Sequence, residues 1–492
     1  MKLDDNYMNR ILLIYPPGKA YQRGEDRAQC SIEDSAVVTI HACNDLGYAA
    51  AVLRNKQYEV LLRDYQTEQT SFDAIEAEIK TFLPDVILIS TTNATILSDI
   101  AFVAWVKEFH SCQFILKGAI FFDIAPELLD TLDLQNINYL IGGEIDTVIG
   151  ELADGIFQKR ELDDIPGILY KKQDGWVKNA FDTWCCDLDS IPFPARDLMK
   201  NELYIRPDTG KPMATIQVSR GCPSNCTYCL TPIISGKKLR KRSVENIFAE
   251  VEECYYQYGI SDFFFKADTF TMDGQWAEAL CDKIIASELY GKIHFTVNSR
   301  VKPLNQQLLN KLKQAGCFML AVGFESGSDS TLARIKKGTT REDNLRAASM
   351  IKQAKLPLFG FFMIGFPWET EEDIKDNLKF IFDIDPDFIE VHIAMPYYGT
   401  QLYQDCATAN TIASEAWGND YFSPNTKGTE TVSMEQIIKI KNKYLLKFYL
   451  RPSYIWKKMV SCIRHPIVFV NYVKHGFKLL KNIWRLWYNS KR

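Results

Sequence analysis

Three cysteines in one short loop carry the clearest chemical signal of the chain. Cys222, Cys226 and Cys229 are separated by three and then two residues, in the stretch Arg-Gly-Cys-Pro-Ser-Asn-Cys-Thr-Tyr-Cys that begins at Arg220. Thiolates are the ligands that iron–sulfur clusters require, and most clusters are held by four of them. Three thiols with no obvious fourth predict a [4Fe–4S] cluster whose last iron is open to a substrate or cofactor.

A structural zinc ion is the alternative for this loop. Zinc in a structural site needs four ligands in a closed tetrahedron. The next thiol along the chain is Cys254, and no histidine follows before His294. The missing fourth ligand favours the cluster.

Length and composition favour a multidomain protein of the reducing cytoplasm. The chain has 492 residues, enough for two or three domains with full cores. Its thirteen cysteines follow no secretory signal, so they do not indicate a disulfide framework. No run of 18 apolar residues predicts a transmembrane helix.

The charge is unevenly distributed. The net charge is −5, yet residues 436–492 contain ten Lys and four Arg and no Asp or Glu. Such a split predicts an interaction segment at the C-terminal end rather than a uniformly basic protein.

The N-terminal third alternates short apolar runs with helical patterns, which predicts a parallel sheet flanked by helices. We predict strands at 10–15, 58–64, 85–90, 113–116 and 139–141, and helices at 36–54, 72–82 and 99–108. Ligands of such sheets bind outside the carboxyl ends of the strands.

The alternation resumes after Met213, and the cysteine loop follows the first strand of this second series. We predict strands at 214–218, 263–266, 294–297, 318–324, 359–364 and 388–393. Six such units predict a parallel, partly open barrel, whose active site lies at the carboxyl ends of its strands.

The loop and the strand ends that follow it in order resemble the radical S-adenosylmethionine (SAM) superfamily. The matching strand ends are Phe265–Phe270, Asn298–Arg300, Gly323–Gly327, Gly360–Pro367 and Met395–Thr400. The resemblance implies a partial (β/α)6 barrel over residues 206–405, in which the open iron of the cluster chelates SAM. An electron from the cluster then cleaves SAM to methionine and a 5′-deoxyadenosyl radical, which abstracts a hydrogen atom from substrate. The residues that it implies for SAM binding are Tyr228, Asp268, Asn298, Arg300, Glu325, Ser326 and Gly365.

The N-terminal pattern resembles the Rossmann-like cobalamin-binding domain that precedes many radical SAM barrels. It carries Ser90-Thr91-Thr92, Lys117-Gly118 and Gly142-Gly143-Glu144 at strand ends. The resemblance implies a cobalamin-binding domain at 1–155 and a linker with a small hairpin at 156–205. The residues that it implies for cobalamin binding are Ser90, Thr91, Gly118, Gly142, Gly143 and Glu144.

Two departures from that pattern matter. The chain has no Asp-x-His-x-x-Gly segment to ligate cobalt, and His41 and His110 are not favoured as cobalt ligands. Lys117 stands where a glycine is common, and its side chain could crowd the nucleotide tail. A vestigial domain that only packs on its neighbour is the alternative.

Residues 406–492 are predicted to be a helical C-terminal extension with a basic amphipathic tail. Between Phe469 and Trp487 apolar residues recur every three or four positions beside Lys and Arg. This pattern favours peripheral contact with the inner face of an anionic membrane. The alternative is a helix packed on the barrel, and nucleic acid is not favoured.

The resemblance implies a cobalamin-dependent radical SAM enzyme that methylates an unactivated carbon of a small hydrophobic or lipid-like substrate. A reductase such as flavodoxin or ferredoxin would donate electrons. The alternative is a rearrangement, cyclisation or other non-methylating reaction, with or without bound cobalamin. A methylthiotransferase is less favoured, because Cys30, Cys43 and Cys112 do not resemble the auxiliary-cluster pattern of that family. The sequence identifies no substrate-facing catalytic residue.

Overall fold

The computed structural model describes residues 9–23, 30–32, 40–122, 124, 126–173, 175–181, 184–413, 417–420 and 424–463. Over these residues the chain forms two α/β units and a helical C-terminal region. The amphipathic helix predicted between Phe469 and Trp487 lies outside the described residues.

The N-terminal sheet has seven strands in the order β2-β1-β3-β4-β5-β6-β7. The strands are β1 (Arg10–Tyr15), β2 (Glu59–Asp64), β3 (Val86–Ser90), β4 (Gln113–Lys117), β5 (Tyr139–Ile141), β6 (Ile168–Lys172) and β7 (Gly175–Lys178). β1 to β5 pair in parallel, whereas β6 and β7 add an antiparallel edge. This hairpin lies in the segment predicted as a linker, and its two strands complete the N-terminal sheet.

Both faces of this sheet are buried. Successive side chains of a strand point to opposite faces. Ile11 and Leu13 accordingly pack in one apolar cluster, and Leu12 and Ile14 in another. The helices of this unit are α1 (Asn44–Asn55), α2 (Tyr65–Glu68), α3 (Phe72–Phe82), α4 (Ile96–Lys107), α5 (Pro126–Leu129) and α6 (Ile145–Gln158). The doubly covered parallel sheet confirms the predicted Rossmann-like fold.

The start of the first helix differs from the prediction. The helix predicted from residue 36 begins only at Asn44, because Cys43 has a non-helical backbone with φ −70° and ψ 60°.

The second sheet is parallel throughout, in the order β15-β14-β13-β12-β11-β8. Its strands are β8 (Met213–Gln217), β11 (Asp262–Lys266), β12 (His294–Arg300), β13 (Cys317–Glu325), β14 (Leu358–Ile364) and β15 (Phe388–Ile393), and a separate short ribbon joins β9 (Ser219–Arg220) to β10 (Arg240–Lys241). All six predicted strands are present. Among the described residues, the edge strands β8 and β15 do not pair with each other, so the sheet does not close. The predicted partly open barrel is confirmed.

Helices cover the outside of this barrel. They are α7 (Thr231–Ile234), α8 (Val244–Tyr258), α9 (Gly274–Ile285), α10 (Gln306–Gln314), α11 (Asp329–Arg334), α12 (Arg341–Gln353), α13 (Glu371–Ile384) and α14 (Gln401–Thr408).

The C-terminal region packs on the barrel through α15 (Met434–Tyr449), which is followed by α16 (Pro452–Ile463). Ile437 and Phe448 of α15 enter the barrel core, and the Tyr449 hydroxyl donates to the Ile389 carbonyl at 3.0 Å. In the part of the chain that the structure describes, no helix has the length and apolarity needed to cross a bilayer.

Buried polar contacts fix the two α/β units to each other. The Asn44 side chain of α1 and the Arg196 guanidinium of the connector both donate to the Thr215 carbonyl of β8, each at 2.9 Å. Arg196 also pairs with Glu250 of α8 at 2.6 Å. The carboxyl ends of both parallel sheets therefore border a common space.

Candidate active site between the two sheets

The cysteine loop is held at both ends by one carboxylate. Asp268, just after β11, accepts from the Gly221 amide at 2.7 Å and from the Thr231 hydroxyl at 3.1 Å. Gly221 has φ +84°, and a Cβ there would lie 2.2 Å from the Lys238 carbonyl oxygen. Only glycine fits this position, so the start of the loop is fixed by close backbone packing.

The three thiols lie close to a guanidinium group. Cys222 and Cys226 are buried and Cys229 is partly buried, and all three are free of disulfides. Arg300 at the end of β12 donates to the Cys226 sulfur at 3.1 Å. A cation beside a thiolate stabilises its charge, so the donors fit a cluster held by thiolates. Among the described residues, no three His, Cys, Asp or Glu side chains converge on a position for a single metal ion.

Lys337 links three of the residues predicted for SAM. Its ammonium group pairs with Glu325 at 2.6 Å and donates to the Tyr228 hydroxyl at 3.3 Å, and its carbonyl accepts from Arg300. Glu325 has φ +62°, a conformation that residues other than glycine seldom adopt. Burial and the neighbouring Glu325 carboxylate raise the pKa of Tyr228 well above its usual range. The cluster loop and the end of β13 thus form one polar network.

The remaining residues predicted for SAM lie at neighbouring strand ends. Asn298 and Arg300 share one face of β12, opposite the core residue Val297. Ser326 is buried after β13, and its hydroxyl accepts from the Ser328 amide at 3.1 Å. Gly365 follows β14 with φ +81°.

A cavity lies between the N-terminal strand ends and the start of the cysteine loop. We call it the charged cavity, because its lining includes Asp45, Lys117, Glu144, Asp146, Arg220 and Asp268. Of the residues predicted for cobalamin, Gly142, Gly143 and Glu144 line it, and Asp268 approaches from the barrel side.

Ser90, Thr91 and Gly118 are not part of this lining. The Ser90 hydroxyl donates to Asp45 and the Thr91 hydroxyl donates to Asp99, each at 2.6 Å. A Cβ on Gly118 would lie 2.8 Å from the Thr91 carbonyl oxygen. These three residues therefore support the strand ends from behind.

Asp45 organises the floor of the charged cavity. It accepts hydrogen bonds from Ser90 and Tyr15, each at 2.6 Å, and lies 3.4 Å from the Lys117 ammonium group. Burial raises the pKa of Asp45, but the Lys117 charge and the two hydroxyl donors outweigh it, so the pKa lies below its usual value. The Lys117 side chain, which the sequence placed where it could crowd the nucleotide tail, thus pairs with a carboxylate.

Ion pairs between the two units form the wall of the charged cavity. Glu144 of the N-terminal unit pairs with Arg240 at 2.6 Å and with Arg220 at 3.3 Å, and Arg220 also pairs with Asp146. Arg240 belongs to the basic stretch Lys237–Arg242, whose two arginines are buried. Arg240 is therefore a structural contact between the units, whereas Lys237, Lys238 and Lys241 of the same stretch are exposed.

The two histidines of the N-terminal unit are not among the residues that line the charged cavity. The His41 ring packs at a tilt against Phe264 with ring centroids 4.9 Å apart, and the His110 ring lies 2.7 Å from the Pro84 carbonyl oxygen. The structure places both in packing positions.

A second cavity adjoins the first at Ala119, which lines both. We call it the apolar cavity. Its walls come from the end of β4, from the α7 segment that follows Cys229, from the end of β15 and from the C-terminal region; they include Phe122, Leu230, Ile233, Met395, Tyr397 and Trp417.

The C-terminal wall of the apolar cavity is anchored to the N-terminal unit. The Gly418 amide donates to the Asn93 carbonyl at 2.9 Å, and the Asn93 side chain donates back to the Asn419 carbonyl at 3.0 Å. The Trp417 indole donates to the Thr131 hydroxyl at 2.8 Å. This segment therefore closes the space between the two units.

Comparison with known proteins assigns this arrangement to a family. The model of the radical SAM superfamily matches residues 216–381. An uncharacterized methyltransferase of Pyrococcus horikoshii is 30% identical over 485 residues, which cover 98% of this chain and 99% of the relative. The chain belongs to this family of radical SAM enzymes, and a [4Fe–4S] cluster and SAM are therefore its cofactors.

Two solved structures share the fold. The cobalamin-dependent SAM radical enzyme OxsB, with aqua-cobalamin bound, has a TM-score of 0.72 at 16% identity and covers 97% of this chain and 72% of its own. The radical SAM methyltransferase TsrM from Kitasatospora setae, with tryptophan substrate and a SAM analogue bound, has a TM-score of 0.65 at 16% identity and covers 83% of this chain and 77% of its own.

Sequence reasoning missed several site residues. Lys337 lies in Ile-Lys-Lys-Gly, where nothing distinguishes a buried lysine from an exposed one. Asp45 is visible only as an acidic residue in the first turn of α1. Residues 417–420 and Asn425 gave no signal, because their importance arises from contacts distant in sequence.

Proposed function

We propose that this enzyme is a cobalamin-dependent radical SAM methyltransferase that methylates an unactivated carbon of a small hydrophobic molecule. The observation that carries the proposal is the pair of adjoining cavities. The charged cavity lies between the N-terminal strand ends and the cysteine loop, and the apolar cavity opens from it at Ala119. Cofactor and substrate would thus meet beside the cluster.

The charged cavity has the polar groups that cobalamin needs. Amide groups surround a corrin ring, and buried amides require hydrogen-bond partners. Asn44 lines the cavity, is 9% exposed, and its Oδ1 atom has no partner in the structure. Tyr48 and Gln217 add further donors and acceptors to the lining. The fold that the chain shares with OxsB supports the same assignment.

We assign residues 1–155 to the cobalamin-binding domain, 156–205 to the linker, 206–405 to the barrel and 406–492 to the extension. In this assignment Cys222, Cys226 and Cys229 hold the cluster. Tyr228, Asp268, Asn298, Arg300, Glu325, Ser326 and Gly365 hold SAM. Ser90, Thr91, Gly118, Gly142, Gly143 and Glu144 hold or support cobalamin.

The protein's own residues position and tune the bound groups. When bound, the cluster supplies the electron that cleaves SAM, and cobalamin carries the methyl group for the substrate. Arg300 stabilises negative charge on the Cys226 sulfur, which raises the reduction potential of a cluster held there. Lys337 fixes Glu325 at the end of β13, where its carboxylate can accept from the SAM ribose or amino group. The apolar lining excludes water from the substrate.

The proposal is tested by anaerobic reconstitution with iron, sulfide and cobalamin. We expect corrin bands in the visible spectrum, and 5′-deoxyadenosine when SAM and reduced flavodoxin or ferredoxin are added. Cys226→Ser should lose iron and SAM cleavage, whereas Cys281→Ser, in the barrel core, should retain both. Absence of corrin bands would refute cobalamin dependence. A product without an added methyl group would instead support a rearrangement or cyclisation reaction.

Arg300→Met gives a graded test of the same site. The variant should retain iron but cleave SAM about tenfold more slowly, with a lower cluster reduction potential. Arg300→Lys should recover part of the rate because it keeps the positive charge. An unchanged potential in Arg300→Met would contradict the assigned role.

We also propose that the C-terminal region contacts an anionic membrane surface. Ile455, Trp456, Met459 and Val460 form one face of α16 and are 43%, 69%, 52% and 42% exposed. They lie within residues 436–492, which carry fourteen basic and no acidic residues. Apolar side chains beside cationic ones suit the headgroup region of an anionic bilayer.

Vesicle cosedimentation tests this contact. The protein should bind vesicles that contain phosphatidylglycerol and not vesicles of phosphatidylcholine alone. Trp456→Gln should weaken binding about fivefold. Tyr256→Gln is the matched control, because Tyr256 is 60% exposed on α8. Equal binding to both vesicle types would refute the proposal.

A further inference from the structure

A buried hydrogen-bond acceptor in the lining of the apolar cavity has no partner among the described residues. It is the Oδ1 atom of Asn425, a residue that lines this cavity and is 7% exposed. An unpaired buried acceptor costs about 1–3 kcal/mol, so such atoms call for an explanation. A ligand that donates a hydrogen bond to Oδ1 would remove this cost.

The backbone around Asn425 is held in place against the barrel. The Asn425 amide donates to the Met395 sulfur at 3.4 Å, and Met395 lies just beyond β15. The Ala413 amide donates to the Asn425 carbonyl at 3.4 Å. The side-chain amide is therefore presented from a fixed position, as a specificity contact requires.

The other amide in the same cavity shows the contrast. Asn93 also lines the apolar cavity, but its side chain is used by the Asn419 carbonyl in the wall. The Asn93 side-chain nitrogen thus has a structural partner, whereas the Asn425 oxygen has none among the described residues. This unpaired buried acceptor distinguishes Asn425 within the lining.

The other lining residues disfavour charged ligands and favour ligands with flat apolar surfaces. None of the described residues that line the cavity is Asp, Glu, Lys, Arg or His. A charged group there would lose its hydration without gaining a counter-ion, which is costly. Tyr398 and Tyr403 meet edge to face with ring centroids 5.1 Å apart, and Phe122 and Trp417 add further rings. Aromatic ligands pack well on such surfaces.

We propose that the apolar cavity binds an uncharged substrate with an aromatic face and an N–H or O–H donor, and that Asn425 is the specificity-determining residue that accepts this donor. The inference rests on the proposed function only in naming this ligand the substrate. The binding preference itself follows from the cavity.

Three naphthalene probes test the preference on the cofactor-reconstituted protein. 2-Naphthol is uncharged at pH 7 and donates a hydrogen bond, 2-methoxynaphthalene lacks the donor, and 2-naphthoate is an anion. We expect 2-naphthol to bind about tenfold more tightly than each of the others, which corresponds to one well-placed hydrogen bond or one unpaired buried charge. Fluorescence titration measures the three dissociation constants.

Asn425→Leu should abolish the preference for 2-naphthol over 2-methoxynaphthalene while retaining affinity for 2-methoxynaphthalene. Asn310→Leu, at an exposed position on α10, is the matched control and should keep the wild-type ranking. Circular dichroism and cluster absorbance verify that each variant is folded. The ranking of the probes on the wild-type protein tests the inference even if Asn425→Leu fails to fold.

Three results would overturn the inference. They are no binding of 2-naphthol, equal binding of 2-naphthoate, and an unchanged donor preference in a folded Asn425→Leu variant. The corrin spectrum of the same samples reports separately on the proposed function. Missing corrin bands with the expected probe ranking would refute cobalamin dependence and leave the binding preference standing.

Discussion

The two adjoining cavities are built on opposite principles. The charged cavity is walled by ion pairs: Glu144 joins the two units through Arg220 and Arg240, and Asp45 pairs with Lys117 within the N-terminal unit. The apolar cavity is walled by aliphatic and aromatic side chains and is closed by neutral hydrogen bonds from residues 417–419. Both share Ala119. A polar cofactor and an uncharged substrate would thus bind side by side. The lining of each cavity would disfavour the ligand of the other.

The two cavity walls also differ in how their stability responds to substitution and to pH. Buried ion pairs repay their desolvation only when every partner is present, so loss of one partner leaves an uncompensated charge. Apolar walls lose stability in proportion to the surface removed. The charged cavity should therefore be sensitive to single substitutions and to pH, and the apolar cavity much less so.

The largest loss of stability is expected when an ion pair in the wall of the charged cavity is broken. Arg240→Leu leaves the buried Glu144 carboxylate with Arg220 as its remaining ion-pair partner. We expect the unfolding free energy to fall by about 3 kcal/mol in urea titrations followed by circular dichroism. Lys241→Leu breaks a partly exposed pair with Asp273 and should cost less than about 1 kcal/mol. Equal losses of unfolding free energy in the two variants would contradict the expectation that the buried ion pair stabilises the fold more than the partly exposed pair.

A smaller effect, dependent on pH, is expected at Asp45. Its pKa is lowered in the folded protein, so its stabilisation is present above the unfolded pKa and is lost as the pH falls through the folded pKa. Asp45→Asn should cost about 2 kcal/mol at pH 7, because hydrogen bonds to a charged group are lost. The cost should shrink below about pH 4. Asp376→Asn, at an exposed site on α13, is the control, and a cost at Asp45 that does not change with pH would contradict the ion-pair role.

The smallest effect is expected in the apolar wall. Ile233→Ala removes part of a half-buried side chain and should cost about 1 kcal/mol. The cost should be the same at pH 5 and pH 8, because no ionisable group is involved. Ile233→Val should cost less than half as much. A loss of unfolding free energy that varies with pH would contradict this expectation, because it would show that an ionisable group interacts with Ile233.

The strands were predictable because each is a short apolar run that ends in polar or glycine residues. β8 and β11 to β15 all appear where the alternation placed them, and the parallel order puts their ends at one edge. The cysteine loop was predictable because its ligands are close in sequence. The contact between Cys226 and Arg300 was not predictable, since the two residues are 74 positions apart.

Contacts between the units escaped prediction for the same reason. Glu144 and Arg240 are 96 residues apart, and the sequence showed only an acidic strand end and a basic stretch. Ser90 and Thr91 lie at the correct strand end, but their hydroxyl groups face buried carboxylates. Strand ends can be located from a pattern, whereas the direction of each side chain depends on what packs behind it.

The closure of the apolar cavity by residues 417–420 has a consequence for how the protein is made. Asn419 and Asp420 contact Asn93 and Ser31, which precede them by 326 and 389 residues. A ribosome adds about 5–20 residues per second, so the N-terminal sheet is synthesised many seconds before its C-terminal cover exists. During that interval a nascent chain with a complete cysteine loop still lacks a finished substrate chamber. Radical chemistry on a growing chain would have no enclosed substrate to act on, so the order of synthesis itself delays activity until residues 417–420 have been added.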